Sequence, residues 1–416
     1  MRRRTGAQRS AHNDTVLEDP ASAVTTDARR VGRSRLGLVL PGGGARAAYQ
    51  VGVIKAIAEL LPRGAPSPFR VISGTSAGAI ISAIVAAHAR HFREGAVNLE
   101  RFWRNFHVDQ VFRADAASML RSGLHWLLAL LSGGWLVPPP RSVFDNRPLR
   151  DTLERHVNFA RVREALDHGY LDALAINASA YRSAWSVAFF ESAVDTPAWQ
   201  HTWRLGQPTE FTLEHLMASA AVPFLFPPVR MGDEYYGDGA MRQVAPLSPA
   251  INLGADRLLI VTVRDSRMRE VGSANGTPAS TGDGPGERAS GCPTFGQIFG
   301  FMLDTLFMDG IQADLERLRR DNRLIAAGGA IDGLKVIEPM VITPREEFGE
   351  VAERHAQAAP RALRALLRTM GAAGPSGRTL LSYLLFEASY TRELIAIGYR
   401  DARARRDELQ ELLSAP

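Results

Sequence analysis

The 416-residue chain has a single cysteine, Cys292. It can form no internal disulfide and no thiolate metal cluster, so it has no need of an oxidising compartment. No run reaches about eighteen apolar residues, so no transmembrane helix is expected. The N-terminus opens on arginines and then runs polar. It has no apolar h-region, and an ordinary secretory signal is not expected. Net charge is only +5. Much of the basicity sits in Arg2, Arg3, Arg4, Arg9, Arg29, Arg30, Arg33 and Arg35. That leaves a weak attraction to anionic surfaces. No Lys/Arg patch with interleaved aromatics argues for nucleic acid. There is no H-E-x-x-H motif, and no metal or other cofactor is expected. With 45% hydrophobic and 22% charged residues, the composition is that of a soluble globular protein. The expected location is the cytoplasm, with peripheral contact at a membrane and homo-oligomerisation left open.

What is present centres on residues 69–79, FRVISGTSAGA. Phe69 to Ile72 read as the end of a strand, and Ala79 to Ala87 as an apolar helix. Between them stands Gly74-Thr75-Ser76-Ala77-Gly78. Strand, G-x-S-x-G, helix is the context of a nucleophile elbow. The bland alternative is a βα turn whose serine caps the helix.

Residues 1 to 33 are polar and read as a disordered tail. Arg35 to Leu40 is the first strand. It runs into Pro41-Gly42-Gly43-Gly44-Ala45-Arg46 and then a helix over Ala47 to Leu61. Two βα units in ninety residues argue for an α/β fold with a largely parallel sheet. Leu99 to Phe106 reads as helical. Ser118 to Pro140 is the most apolar stretch, and reads either as a core helix or as a lid or interfacial segment. Asp145 to Ala165 looks helical in two pieces. Leu174–Ala180 and Trp185–Phe190 read as neighbouring strands. Thr212 opens a short helix that stops before Pro223. Tyr235 to Ala240 reads as a tight turn, and Arg257–Val263 as a buried strand. Residues 266–293 form a Gly/Ser/Pro-rich loop. Phe299 to Asn322 is a long helix, on which Asp304, Asp309 and Asp314 are expected to face solvent. Leu334–Pro339 is a late strand. Helical pieces cover Glu346–Met370 and Leu380–Ala396, with a charged, fraying tail from Arg400.

A serine hydroxyl needs a base to become a nucleophile at neutral pH. None of the ten histidines sits in a polar loop after a late strand, where an α/β-hydrolase places it. His215 lies inside a helix and reads as a packed or surface residue. Asp238 is the better partner, flanked by Gly237 and Gly239, which let the backbone approach closely and aim a short side chain. The alternative is a turn aspartate bonding its own backbone. The Gly42-Gly43-Gly44 run before a helix can form an anion-binding nest. It lacks the last glycine of a dinucleotide fingerprint and the G-K-[ST] of a P-loop. Stabilising the oxyanion of acyl transfer suits it better. Arg46 either adds positive charge there or holds the loop.

In this order, the Gly-rich loop, GTSAG and Asp238-Gly239-Ala240 resemble the patatin-like phospholipases. Ala218-Ser219-Ala220-Ala221-Val222-Pro223 resembles the family's small-residue segment beside the site. The resemblance covers about residues 35 to 265. The later part looks like the C-terminal extension of bacterial members. It departs at Ala47, where many members carry glycine, and at Ala240, where D-G-G is commoner. The resemblance implies an α/β/α sandwich with residues 34–265 as the catalytic domain, within which the apolar stretch 118–140 reads as a lid or an insertion. Residues 294–416 would be a helical part packed on it. It implies a lipid acyl hydrolase with a Ser76–Asp238 dyad, and Gly42, Gly43, Gly44 and Arg46 as the oxyanion loop. Gly74, Gly78 and Gly239 support the site, and the substrate is a phospholipid or other acyl lipid. The rivals are a general carboxylesterase or thioesterase, and a non-enzymatic lipid-binding protein.

Overall fold

The computed structural model describes residues 34–133, 135–264, 292–328, 335–372, 374 and 377–414. The expected N-terminal tail and nearly all of the 266–293 loop lie outside them. In chain order the strands are β1 (Leu36–Leu40), β2 (Val71–Thr75), β3 (Ala173–Ala180), β4 (Ser186–Ser192) and β5 (Trp199–His201). They continue as β6 (Arg204–Pro208), β7 (Val229–Met231), β8 (Glu234–Asp238), β9 (Arg257–Val261) and β10 (Glu338–Ile342). The helices begin with α1 (Ala48–Leu60), α2 (Ala77–Ala87), α3 (Phe92–Arg104), α4 (Ala116–Leu131), α5 (Arg147–His156) and α6 (Phe159–Asp167). Next come α7 (Leu213–Ser219), α8 (Ser248–Asn252), α9 (Phe295–Ala326) and α10 (Phe348–Arg354). The last are α11 (Arg361–Thr369), α12 (Arg378–Leu384), α13 (Ala388–Ala404) and α14 (Arg406–Ser414).

The sheet runs β10-β9-β1-β2-β3-β4-β6-β5. From β10 to β3 every pairing is parallel. Side chains of these strands alternate between two apolar cores, as the pleat requires. Leu36, Leu38, Leu40, Ile72, Leu174, Ile176, Leu259 and Val261 face one core with α1, α2, α3 and α13. Val39, Val71, Ala173, Ala175, Leu258 and Ile260 face the other with α8 and the middle of α9. Because both faces are covered, the strands are continuously apolar rather than alternating in polarity. The result is an α/β/α sandwich with a mostly parallel sheet.

Helix starts follow local chemistry. Asp115 accepts from Ser118 N–H at the start of α4, and Thr294 and Gln297 form a reciprocal capping box on α9. Helices α1 and α13 cross closely at two glycines. A Cβ on Gly52 would sit 2.0 Å from the Ile395 carbonyl oxygen, and one on Gly398 would sit 2.1 Å from that of Tyr49.

Several expectations need correction. Tyr235 to Asp238 is a strand, because β8 pairs with both β3 and β7; only Gly239 onward is a turn. The late strand begins at Glu338, where the chain can pair with β9 from Arg257, and does not take in Lys335 to Ile337; Leu334 lies outside the described residues. The charged tail does not fray: α13 runs on to Ala404, and α14 buries Leu409. Asp304 and Asp314 do not face solvent freely. Asp304 pairs with Arg46, and buried Asp314 accepts from Leu247 N–H at 2.9 Å. The core reading of Ser118–Pro140 also fails. Leu120, Leu130, Leu131, Trp135 and Leu136 are each more than 70% exposed.

Candidate active site

Two strand ends meet on one edge of β3. β2 runs parallel to it, with Thr75 facing Asn177. One residue further on, β8 takes over antiparallel, with Asp238 facing Ala178. β4 occupies the opposite edge, so β2 and β8 come tip to tip. Ser76 directly follows Thr75, and Asp238 ends β8. Strand β3 thus acts as the common ruler that sets the two side by side.

Ser76 has φ 55° and ψ −127°. A non-glycine residue there stores about 1–3 kcal/mol of strain and needs its surroundings to hold it. The Ser76 N–H donates to Ser219 Oγ at 2.9 Å, and that hydroxyl donates to the Asn177 carbonyl at 2.6 Å. Asn177 in turn donates through Nδ2 to the Gly74 carbonyl at 3.0 Å and to Thr75 Oγ1 at 3.1 Å. Glycine is required at Gly78, where a Cβ would sit 2.1 Å from the Leu40 carbonyl oxygen as β1 passes the elbow. Gly74 packs against Ser82 and the Gly78 backbone, and Gly239 against the Asn177 carbonyl.

Asp238 is almost fully buried, as is Ser76. Its Oδ1 accepts from Ala240 N–H at 2.9 Å. Its Oδ2 has no partner of ordinary hydrogen-bond geometry among the described residues. Burial pushes the carboxyl up to about 7, while the neighbouring Ser76 hydroxyl and the Ala240 N–H pull the other way. A buried carboxylate poised near neutrality beside a strained serine can accept that serine's proton.

The glycine loop leaves β1 and reaches the same place. A Cβ on Gly42 would lie 2.9 Å from Ser76 Cβ and 2.5 Å from Cε1 of Phe307 on α9. Gly43 packs on Val263, and Gly44, at φ +53°, packs on the Tyr383 carbonyl. Buried Gln50 pins the loop by donating to the Pro41 and Val261 carbonyls at 2.9 and 3.1 Å. Arg46 serves the loop's attachment. Its guanidinium donates to Ser382 Oγ, Asp304 Oδ1 and Tyr383 Oη at 2.8, 2.9 and 3.1 Å, and it stacks over the Tyr383 ring. Phe307 stacks on Tyr383 with centroids 5.4 Å apart.

His215 is packed, as expected. It lies against Phe189 and Phe211 and closes the N-terminus of α7 through Thr212. Burial lowers its pKa, and its Nδ1 accepts from the Thr212 N–H at 3.1 Å. Sequence reasoning missed the bonding of Ser219 and Asn177 and the covering role of Phe307. Asn177 carried a signal, as a lone amide inside the apolar strand LAINASA. Phe307 carried none, because helical spacing does not say which element a phenylalanine covers.

Over 62 residues the chain is 47% identical to the lysophospholipase NTE1 of Chaetomium globosum and 52% identical to the lysophospholipase nte1 of Aspergillus niger. Those matches cover 15% of this chain and 4% of each relative, so the chain spans a small part of their length. Among solved structures, VipD from Legionella pneumophila aligns over 88% of this chain and 67% of its own, at 14% identity and a TM-score of 0.32. The family model described as patatin-like phospholipase matches residues 38–251, a stretch that holds the glycine loop, the elbow and Asp238. The chain therefore belongs to the patatin-like phospholipase family.

Proposed function

We propose that the chain is a serine acyl hydrolase that cleaves fatty-acyl esters of phospholipids or related lipids through a Ser76–Asp238 dyad. The observation that carries this reading is the meeting of β2 and β8 on the edge of β3. It sets a strained serine beside a buried carboxylate held near neutrality.

In this mechanism Asp238 takes the Ser76 hydroxyl proton as Oγ attacks the ester carbonyl. The carbonyl oxygen becomes an oxyanion facing the amides of Gly42, Gly43 and Gly44. The loss of one such donor typically costs about 3 kcal/mol of transition-state stabilisation. Asp238 returns the proton to the leaving alcohol, and the acyl group stays on Ser76. Water, deprotonated by Asp238, then attacks the acyl-enzyme. A free fatty acid leaves, and the proton passes back to Ser76. Arg46 positions the glycine loop and does not touch the substrate.

The exposed leucines and tryptophans of residues 120–136 favour an amphiphilic substrate over a small soluble ester or thioester. The test is release of fatty acid from defined phospholipids, neutral glycerides and short p-nitrophenyl esters. Ser76→Ala and Asp238→Asn are each expected to lower kcat by about a thousandfold or more. Full activity in Asp238→Asn would sink the dyad, and activity confined to short soluble esters would sink the lipid substrate.

A further inference from the structure

Helix α4 is inverted relative to an ordinary surface helix, which buries its apolar stripe and wets its polar one. Its half-buried or buried positions are Ser118, Met119, Ser122, His125 and Ala129, most of them small or polar. Leu120, Leu124, Leu127, Leu128, Leu130 and Leu131 point outward instead, between 39% and 80% exposed. Trp135 and Leu136, just beyond, are 94% and 79% exposed. A contiguous apolar surface of this kind marks an interaction site.

Three observations say what covers it. The first is charge. Of the four arginines in residues 113–147, Arg113 and Arg147 pair with Asp145, and Arg121 and Arg141 are the cations that flank the apolar face. The second is shape. A 16-residue helix is about 24 Å long, and no described helix is long and apolar enough to cross a membrane. Leucines with tryptophans and flanking arginines suit a helix that lies in a bilayer interface. The third is continuity with the site. The chain leaving α4 bonds through the Val143 and Phe144 N–H groups to the Phe224 and Leu225 carbonyls at 2.8 and 2.9 Å. Phe224, itself 63% exposed, lies three residues from Ala221, whose carbonyl accepts from Asp238 N–H at 2.9 Å.

We propose that α4 and the Trp135–Leu136 turn are the docking face for an anionic phospholipid bilayer, lying flat at the headgroup boundary beside the Ser76–Asp238 site. The proposal rests on the lipid-substrate reading above. Docking there brings the bilayer to the wall that carries Asp238.

The test uses the full chain with Ser76→Ala, so that vesicles stay intact. Flotation is measured with vesicles of phosphatidylcholine alone and of phosphatidylcholine mixed with phosphatidylglycerol. The chain is expected to float with the mixed vesicles and more weakly with the neutral ones. Adding Leu130→Glu with Leu131→Glu should weaken flotation by about tenfold or more. Trp135→Glu, at a position with almost no packing to lose, should act in the same direction at an unchanged unfolding midpoint. Arg121→Glu with Arg141→Glu should weaken binding only to the anionic vesicles. Undiminished flotation of the leucine and tryptophan variants, or no flotation at all, would overturn the docking face. So would a leucine variant that turns a dimer into monomers in sedimentation, which would assign the face to a second copy. Fatty-acid release from the same vesicles by the unmutated chain separates the two readings. Flotation without release sinks the lipid-hydrolase reading alone, and release with undiminished variant flotation sinks the docking face alone.

Discussion

The Ser219 hydroxyl joins two elements at Ser76: it accepts from the Ser76 N–H at 2.9 Å and donates to the Asn177 carbonyl at 2.6 Å. Helix α7 is thereby tied to both the elbow and β3. The elbow's positive φ is unfavourable on its own, so the residues that hold it set the direction of the Ser76 side chain.

Ser219→Ala removes both bonds and leaves a buried N–H and a buried carbonyl unpaired. Each unpaired buried group costs about 1–3 kcal/mol. The fold should survive with a lower unfolding midpoint. The loss should fall on kcat, by about tenfold or more, because the serine is misaimed while the acyl-binding surface is untouched. Steady-state kinetics on one lipid and one short ester check this. An unchanged kcat with a raised KM would remove Ser219 from the positioning of Ser76.

Asp238 gives a pH dependence of definite sign. In the role proposed for it, as general base, Asp238 works when deprotonated. With its carboxyl pushed up to about 7 by burial, kcat/KM should rise with pH and level off above neutrality, falling about tenfold per unit on the acid side. Stability runs the other way. The folded-state value lies above the unfolded one, so the native state holds this proton more tightly. The stability gained is fully present below about pH 4 and is lost as pH rises through about 7. Asp238→Asn cannot lose it. The unfolding midpoint of this variant should therefore gain on the wild type between pH 4 and pH 8, while its activity is lost. Midpoints measured across that range, with pH–rate profiles of the wild type, test both halves. A midpoint difference that is flat in pH would show that Asp238 is charged throughout.

The parts of this fold legible in the sequence are those built by neighbours. The strand, tight turn and apolar helix around Ser76 follow from eleven or so consecutive residues. So do the β1 strand and the glycines that leave it. What sequence could not supply is long-range pairing. Tyr235 and Tyr236 read as a turn because Gly237 and Gly239 dominate the local signal, yet β3 offers an unpaired edge just beyond β2 and draws them into a strand. Asp304 reads as a solvated carboxylate until Arg46 meets it across a distant stretch of chain. For α4, the apolar content was plain. The direction of its apolar face was not, because a periodic pattern says which residues share a side and not what that side faces.

Gly42 tests how tightly the glycine loop is closed over the serine. Its missing side chain is filled from two directions, by the Phe307 ring and by Ser76 Cβ. The Phe307 ring belongs to α9 and stacks on Tyr383, whose hydroxyl shares Asp304 with Arg46. Gly42→Ala should therefore do two separable things. It should lower the unfolding midpoint by overpacking against Phe307, at a cost of about 1–3 kcal/mol. It should also abolish turnover by pushing the loop amides away from the reacting carbonyl. Removing the ring should relieve only the first. The double variant Gly42→Ala with Phe307→Ala is expected to regain much of the lost midpoint, because the alanine methyl enters the space the ring has left. It should remain inactive, because the 2.9 Å approach to Ser76 Cβ is unchanged. Recovery of activity together with stability would show that Gly42 is needed only to accommodate α9. The amides would then have to be assigned a role other than holding the oxyanion.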